Sequence, residues 1–221
     1  MNPPLLDFLR ERAPELFQRL VEHVELTAVA VVAAAALGIP LGVWAWRRPA
    51  HRRWLLAVAN VIQTVPSLAL LAFLLPFLGI GFRPAITALV LYALLPVIRG
   101  TITGLEEVPA DAREAGVGIG MTARQLLWRV EMPLAVPSIL TGVRLACVWS
   151  VGIATLSAFI GAGGLGEFIN RGLALNNSRL LLLGAVPAAL LAVALDAGVG
   201  ALQRRLQPWR NAGVSPQAGG S

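Results

Sequence analysis

Arg113-Glu114-Ala115-Gly116-Val117-Gly118-Ile119-Gly120-Met121-Thr122, continuing as Ala123-Arg124-Gln125-Leu126-Leu127-Trp128-Arg129-Val130-Glu131-Met132-Pro133, is a polar, arginine-bearing segment set between long apolar runs. Its chemistry predicts two short helices around a glycine turn. Pro109 suits a first helical turn, because it lacks an amide hydrogen that would be unpaired there anyway. Asp111 and Glu114 fall near the helix start, where the macrodipole favours negative charge. Residues 110–115 therefore form a short helix. Gly116, Gly118 and Gly120 are expected to end it early, since glycine weakens a helix by about 1 kcal/mol relative to alanine and admits a left-handed turn. Thr122 can cap a second helix through Leu126, Leu127 and Val130, which is expected to stop as Pro133 approaches.

The runs on either side of this loop need lipid as their solvent. The chain is 57% hydrophobic and 14% charged, with a mean hydropathy of +0.72, more apolar surface than a soluble domain of this length can hide. Five runs approach the roughly 20 residues that a helix needs to cross the hydrocarbon core. They are 26–46, 55–80 with Pro66 and Pro76 inside, 85–98 extended to about 105, 137–160 and 180–202. Ahead of them, Leu5, Phe8, Leu9, Leu16, Phe17 and Leu20 recur at helical spacing among acids, which predicts an amphipathic segment over 1–25 lying at the membrane interface. Asp7, Glu11 and Glu15 make that segment unlike a cleavable signal peptide.

All 18 basic residues are arginines, and they outnumber the acids by six. Their distribution reads as membrane topology, with no basic face interleaved with aromatics of the kind that grips nucleic acid. Arg47, Arg48, Arg52 and Arg53 follow the first span, Arg113, Arg124 and Arg129 follow the third, and Arg204, Arg205 and Arg210 follow the fifth. The opposite side has Arg83, Arg171 and Arg179, plus an N-terminal segment whose acids outnumber its bases. The bias places the N-terminus outside, the C-terminus in the cytoplasm and the 106–136 loop in the cytoplasm. The Gly-, Ser- and Pro-rich end of the 204–221 tail is expected to be disordered. Cys147 is a lone thiol in an apolar run, and His23 and His51 have no metal-ligand spacing; both histidines read as interfacial residues and no metal site is expected.

The opening stretch resembles the EAA loop of ABC-importer permeases. That pattern is Glu-Ala-Ala, three residues, Gly, nine residues, Ile, one residue, Leu, Pro; Glu114, Ala115, Gly116, Gly120, Val130, Met132 and Pro133 stand at its positions. The departures are Gly116 for the second alanine, Val130 for isoleucine and Met132 for leucine. Asn60-Val-Ile-Gln63-Thr64-Val-Pro66-Ser67-Leu-Ala-Leu-Leu, Leu78-Gly79-Ile80-Gly81 and Ala88-Leu-Val-Leu-Tyr92-Ala-Leu-Leu-Pro96-Val-Ile-Arg99 are similar to the permeases of osmoprotectant importers, which move glycine betaine, carnitine, choline or proline betaine. Gly161-Ala-Gly163-Gly164-Leu165-Gly166 fits these and methionine-type permeases alike.

The resemblance implies an all-α membrane protein of the type I ABC importer permease fold over 26–203. It implies a loop that docks an ATPase subunit, a second permease subunit (the same chain or a paralogue), and a separate extracytoplasmic substrate-binding protein. The chain would sit as a multi-pass protein in a bacterial-type inner membrane. The chain has no GxxxxGK[ST] phosphate loop, so ATP and magnesium would be bound by the partner ATPase, and this subunit would be no enzyme in its own right.

Two sets of polar residues lie inside the spans. Asn60, Gln63, Thr64 and Ser67, at spacings of three and four, form one face beside Pro66. Two readings stand: the face lines a translocation pathway together with Tyr92, or it supplies helix–helix hydrogen bonds. Arg144 and Asp196 both fall towards the cytoplasmic half, so a structural ion pair is expected there. Six tryptophans, Trp44, Trp46, Trp54, Trp128, Trp149 and Trp209, fall mostly near the cytoplasmic interface and form no aromatic cage, so solute selection is expected to reside in the binding protein. The competing readings are a methionine- or amino-acid-type permease, a membrane scaffold that merely recruits a cytoplasmic partner, and an intramembrane enzyme. The last needs converging catalytic groups at one depth, which the sequence does not offer.

Overall fold

The computed structural model describes residues 5–206. The described chain is helical almost throughout: α1 (Leu5–Arg47), α2 (Pro49–Thr64), α3 (Ser67–Leu78), α4 (Phe82–Glu106), α5 (Ala110–Gly118), α6 (Ala123–Leu126), α7 (Met132–Ser157), α8 (Gly166–Ala174) and α9 (Ser178–Arg205). Trp209, Arg210 and the expected disordered tail lie outside the described residues. Among the described residues, four helical rods are long and apolar enough to cross a membrane: α1, α4, the rod from α6 through α7, and α9. A fifth span results when α2 and α3 are counted as one bent pair.

Three features depart from the sequence reading, each for a local reason. The 1–25 segment is no separate interfacial helix within the described residues: α1 runs unbroken for 43 residues, about 65 Å at 1.5 Å per residue. Part of its stripe packs on protein, Phe8 and Leu16 against Phe168, Leu180 and Leu183 of α8 and α9, while Leu9 and Phe17 stay exposed. The second span breaks at Val65–Pro66 and turns by 99°. Proline cannot continue the amide ladder, and Val65 goes extended (ψ 128°) as a residue before proline prefers. The helix after Thr122 does not stop at Pro133 but continues into α7 through a π turn, Leu127–Glu131, in which Met132 N–H donates to the Leu127 carbonyl. The wider turn removes the clash that a proline ring makes in a regular helix.

The centre of the bundle is α4, packed by α1 on one side and α7 on another. Glycines set the spacing. A β-carbon on Gly142 of α7 would come within 2.4 Å of the Pro96 carbonyl oxygen, and one on Gly104 of α4 within 2.7 Å of the Ala135 oxygen. The two backbones therefore touch, as small residues allow where lipid supplies no hydrophobic drive between helices. The pairs Pro96–Gly142 and Gly104–Ala135 also show that α4 and α7 are antiparallel.

Candidate functional site

The loop between α4 and α7 is built as two capped helices. Pro109 is the N-cap of α5, and Asp111 lies in its first turn. The helix passes through Gly116 and ends at Gly118, three residues later than expected. Gly116 is tolerated because the Leu126 side chain fills the space a methyl group would need: its Cδ1 lies 2.6 Å from that position. Gly120, with φ at +81°, closes the helix. Its N–H donates to the Val117 carbonyl at 2.9 Å and Met121 N–H to the Gly116 carbonyl at 3.1 Å, a Schellman ending. Thr122 then starts α6 with a complete capping box: its Oγ1 accepts from Gln125 N–H at 3.3 Å, and Gln125 Oε1 accepts from Thr122 N–H at 2.8 Å.

Of the residues matched to the loop pattern, Glu114, Ala115, Gly120 and Pro133 are exposed, Gly116 is buried, and Val130 and Met132 are half-buried. Two large apolar side chains, Val117 and Ile119, stand out at 61% and 76% exposure beside them. The loop is tied to the spans by Arg113. Its Nε donates to Glu131 Oε1 at 3.0 Å, a terminal nitrogen donates to the Leu105 carbonyl, and the guanidinium lies 5.6 Å from the centroid of the Trp46 ring. Glu131 is buried. One residue of α5 thus engages α1, the end of α4 and the start of the α7 rod. The pairing of Arg113 with Glu131 is not legible in the sequence, since i and i+18 carry no spacing signal.

The polar residues of α2 gather where α2 bends past α4 and α7. Gln63 Nε2 donates to the Tyr92 carbonyl at 3.0 Å, and the Tyr92 hydroxyl donates to the Val65 carbonyl left free by the break. Gln63, Thr64, Pro66, Ser67 and Tyr92 line a cavity of about 550 Å³ that reaches Trp149. Gln63 and Trp149 also line a second cavity, of about 860 Å³, which extends between α4 and α7 to Gln203 of α9. Asn60 lines neither; its Oδ1 accepts from Arg99 at 2.7 Å. This face thus both borders a cavity and makes hydrogen bonds to α4. Arg99 and Trp149 were not singled out from sequence as cavity residues; the one available signal was an arginine seven residues inside an apolar run.

Arg144 and Asp196 face each other across α7 and α9, with Nε and a terminal nitrogen donating to the two carboxylate oxygens. At the other end, α1 holds the Gly161–Gly166 loop. Glu22 Oε2 accepts from Gly164 N–H at 2.9 Å. His23, fully buried rather than interfacial, accepts from Leu165 N–H at Nδ1 and so donates from Nε2 to the Val151 carbonyl at 3.2 Å. The loop needs its glycines: φ is positive at Gly161, Gly163 and Gly164. Cys147 is buried in α7. No group of three or more His, Cys, Asp or Glu among the described residues could hold a metal ion.

Comparison with known proteins gives a consistent picture. Over 204 residues the chain is 42% identical to the carnitine transport permease protein OpuCB of Listeria monocytogenes, covering 92% of this chain and 94% of that one. It is 40% identical over 204 residues to the choline transport system permease protein OpuBB of Bacillus subtilis (strain 168), with the same coverage. The fold matches that of the MetNI methionine ABC transporter with a TM-score of 0.79 over 87% of this chain and 96% of that one, at 24% identity, a likeness that speaks for the fold alone. Residues 35–210 match the model of the binding-protein-dependent transport system inner membrane component, and the chain belongs to that family of membrane permease subunits.

Proposed function

We propose that this chain is the permease of an ATP-driven importer for quaternary ammonium osmoprotectants such as glycine betaine, choline or carnitine. The substrate class rests on the 40–42% identity to permeases named for choline and carnitine, at more than nine-tenths coverage of both chains. The mechanism rests on the loop. Two separately capped helices carry an exposed patch of Glu114, Ala115, Val117, Ile119 and Gly120, and Arg113 fastens that patch to three spans.

In this reading α5 docks into an ATPase subunit that binds ATP and magnesium. The arginine bias puts α5 and the C-terminus in the cytoplasm and the N-terminus outside. Closure of the ATPase dimer moves α5, and the α7 rod and α4 follow because Arg113 and the glycine-spaced contact hold them together. A second permease, the same chain or a paralogue, completes the pathway, and an extracytoplasmic binding protein delivers the solute. The polar face of Gln63, Thr64, Pro66, Ser67 and Tyr92 lines the way through. Solute and nucleotide shift the inward- and outward-facing states only by binding one better than the other.

The test is mass spectrometry of what copurifies with the tagged chain from native membranes in mild detergent, with uptake competition on the same membranes. An ATPase and a binding protein are expected, with uptake blocked by glycine betaine, choline or carnitine and not by methionine. A chain recovered without an ATPase, under conditions that preserve a known importer, overturns the importer reading. Competition by methionine alone overturns the substrate class.

A further inference from the structure

Arg99 of α4 and Arg144 of α7 both lie within apolar spans, and their partners differ. Arg144 is neutralised by the Asp196 carboxylate. Arg99 donates to the amide oxygen of Asn60 at 2.7 Å, so its charge is held in place but not cancelled. It lies seven residues before the end of α4 at Glu106, about 10 Å by helix rise, and its side chain is exposed to the 860 Å³ cavity. The carboxylate among the lining residues is Glu107, eight residues and about 12 Å further along, where it accepts the Ser138 hydroxyl at 2.5 Å. An uncompensated charge inside a span is costly and marks a place where something charged is met.

The same cavity carries an aromatic face. Gly142 packs against Pro96 and Gly100, next to Arg99. Trp149 follows seven residues later on the same helix, about 10 Å away, and is 43% exposed. Since α7 runs antiparallel to α4, the indole sits on the far side of the cavity from Glu107. A flexible arginine side chain shortens the gap, leaving room for a small molecule with charge at both ends.

We propose that this cavity is a transit site for zwitterionic quaternary ammonium solutes, with Arg99 receiving the carboxylate and Trp149 the ammonium. It rests on the substrate class proposed above. Guanidinium–carboxylate hydrogen bonds are among the stronger polar contacts, and an ammonium over an indole gains by cation–π attraction. Carnitine and glycine betaine engage both residues; choline, which lacks a carboxylate, engages Trp149 alone. The permease thereby contributes selectivity of its own, in addition to that of its binding protein.

The test uses the importer reconstituted in vesicles with its ATPase and binding protein, and compares initial uptake of carnitine and choline. Arg99→Gln is expected to lower carnitine uptake about tenfold and choline uptake less than about twofold, and Arg99→Lys, which keeps the charge, to stay within about threefold of the parent for both. Trp149→Leu lowers both solutes alike. Parallel loss of both solutes in Arg99→Gln, as expected if the guanidinium held a lipid headgroup or only braced the helices, overturns the site, and so does no change in either.

Where the binding protein delivers one solute only, titration of the permease–ATPase complex followed by tryptophan fluorescence replaces uptake. Carnitine affinity should fall about tenfold in Arg99→Gln with choline within twofold, and equal responses to the two probes overturn the site. If the parent importer takes up methionine and neither of these solutes, the substrate class itself has failed; parallel loss in an importer that moves both removes the site alone.

Discussion

Gly142 and Gly118 show how differently one residue type is used in this chain. A methyl group at Gly142 would press on the Pro96 carbonyl at 2.4 Å and push α7 away from α4. Gly142→Ala should therefore cost about 1–3 kcal/mol, the usual range for overpacking. It should be seen as a lower melting temperature and a smaller monodisperse fraction in detergent. Nothing lies within 4 Å of a methyl group at Gly118, in the last turn of α5. Gly118→Ala should leave stability unchanged or raise it by up to about 1 kcal/mol through helix propensity. If α5 docks an ATPase as proposed, retention of the ATPase on copurification separates a steric cost at that surface from a folding cost. From sequence the two glycines look alike, because a close backbone approach comes from another helix 46 residues away.

Among the elements, the α5–α6 pair tests how local chemistry supports a proposed mechanical part. Thr122→Ala removes the capping box and should cost about 1 kcal/mol, fraying α6. Faster hydrogen exchange over 122–126 with unchanged exchange in α4 is the expected signature. Arg113→Ala should be more severe, because it leaves the buried Glu131 carboxylate without its cation, a loss of about 3 kcal/mol or more. Beyond the lower yield, the complex that does assemble should hydrolyse ATP while importing less solute. Uptake and hydrolysis falling in proportion would mean that Arg113 only holds the fold. Substitutions at Glu114 or Gly120 that left uptake intact would favour the scaffold reading over coupling. The Thr122 cap was legible in sequence because caps are decided within four residues, while Pro109 stands one place ahead of the first turn expected to hold it. The passage of the helix over Pro133 was not, since the π turn that allows it is one of several ways a chain can meet a proline.

For the whole molecule, Arg144 and Asp196 join α7 to α9, the last rod added to the bundle. Asp196→Asn should lower the yield of folded protein by leaving Arg144 without its counter-charge, and Arg144→Gln with Asp196→Asn should recover much of it, read as the monodisperse fraction and as assembly with the ATPase. Normal assembly with transport lost only under a proton gradient would instead give the pair a proton-handling role.

At this scale, composition and the spacing of apolar runs determined by themselves that the chain is a helical membrane protein with about five spans. The arginine distribution gave those spans an expected orientation, and the Glu114–Pro133 pattern marked the loop. These properties depend on burial in lipid, local propensity and short-range spacing, all of which a linear sequence carries. Tertiary structure alone decided the 99° turn at Pro66, the burial of His23 between α7 and the glycine loop, and the contrast between Arg144 and Arg99. Each of these depends on which groups distant in sequence meet in space, with His23 and Leu165 separated by 142 residues. A proline announces that a helix is interrupted; the packing of its neighbours decides the angle, and the same packing decides which charge finds a partner.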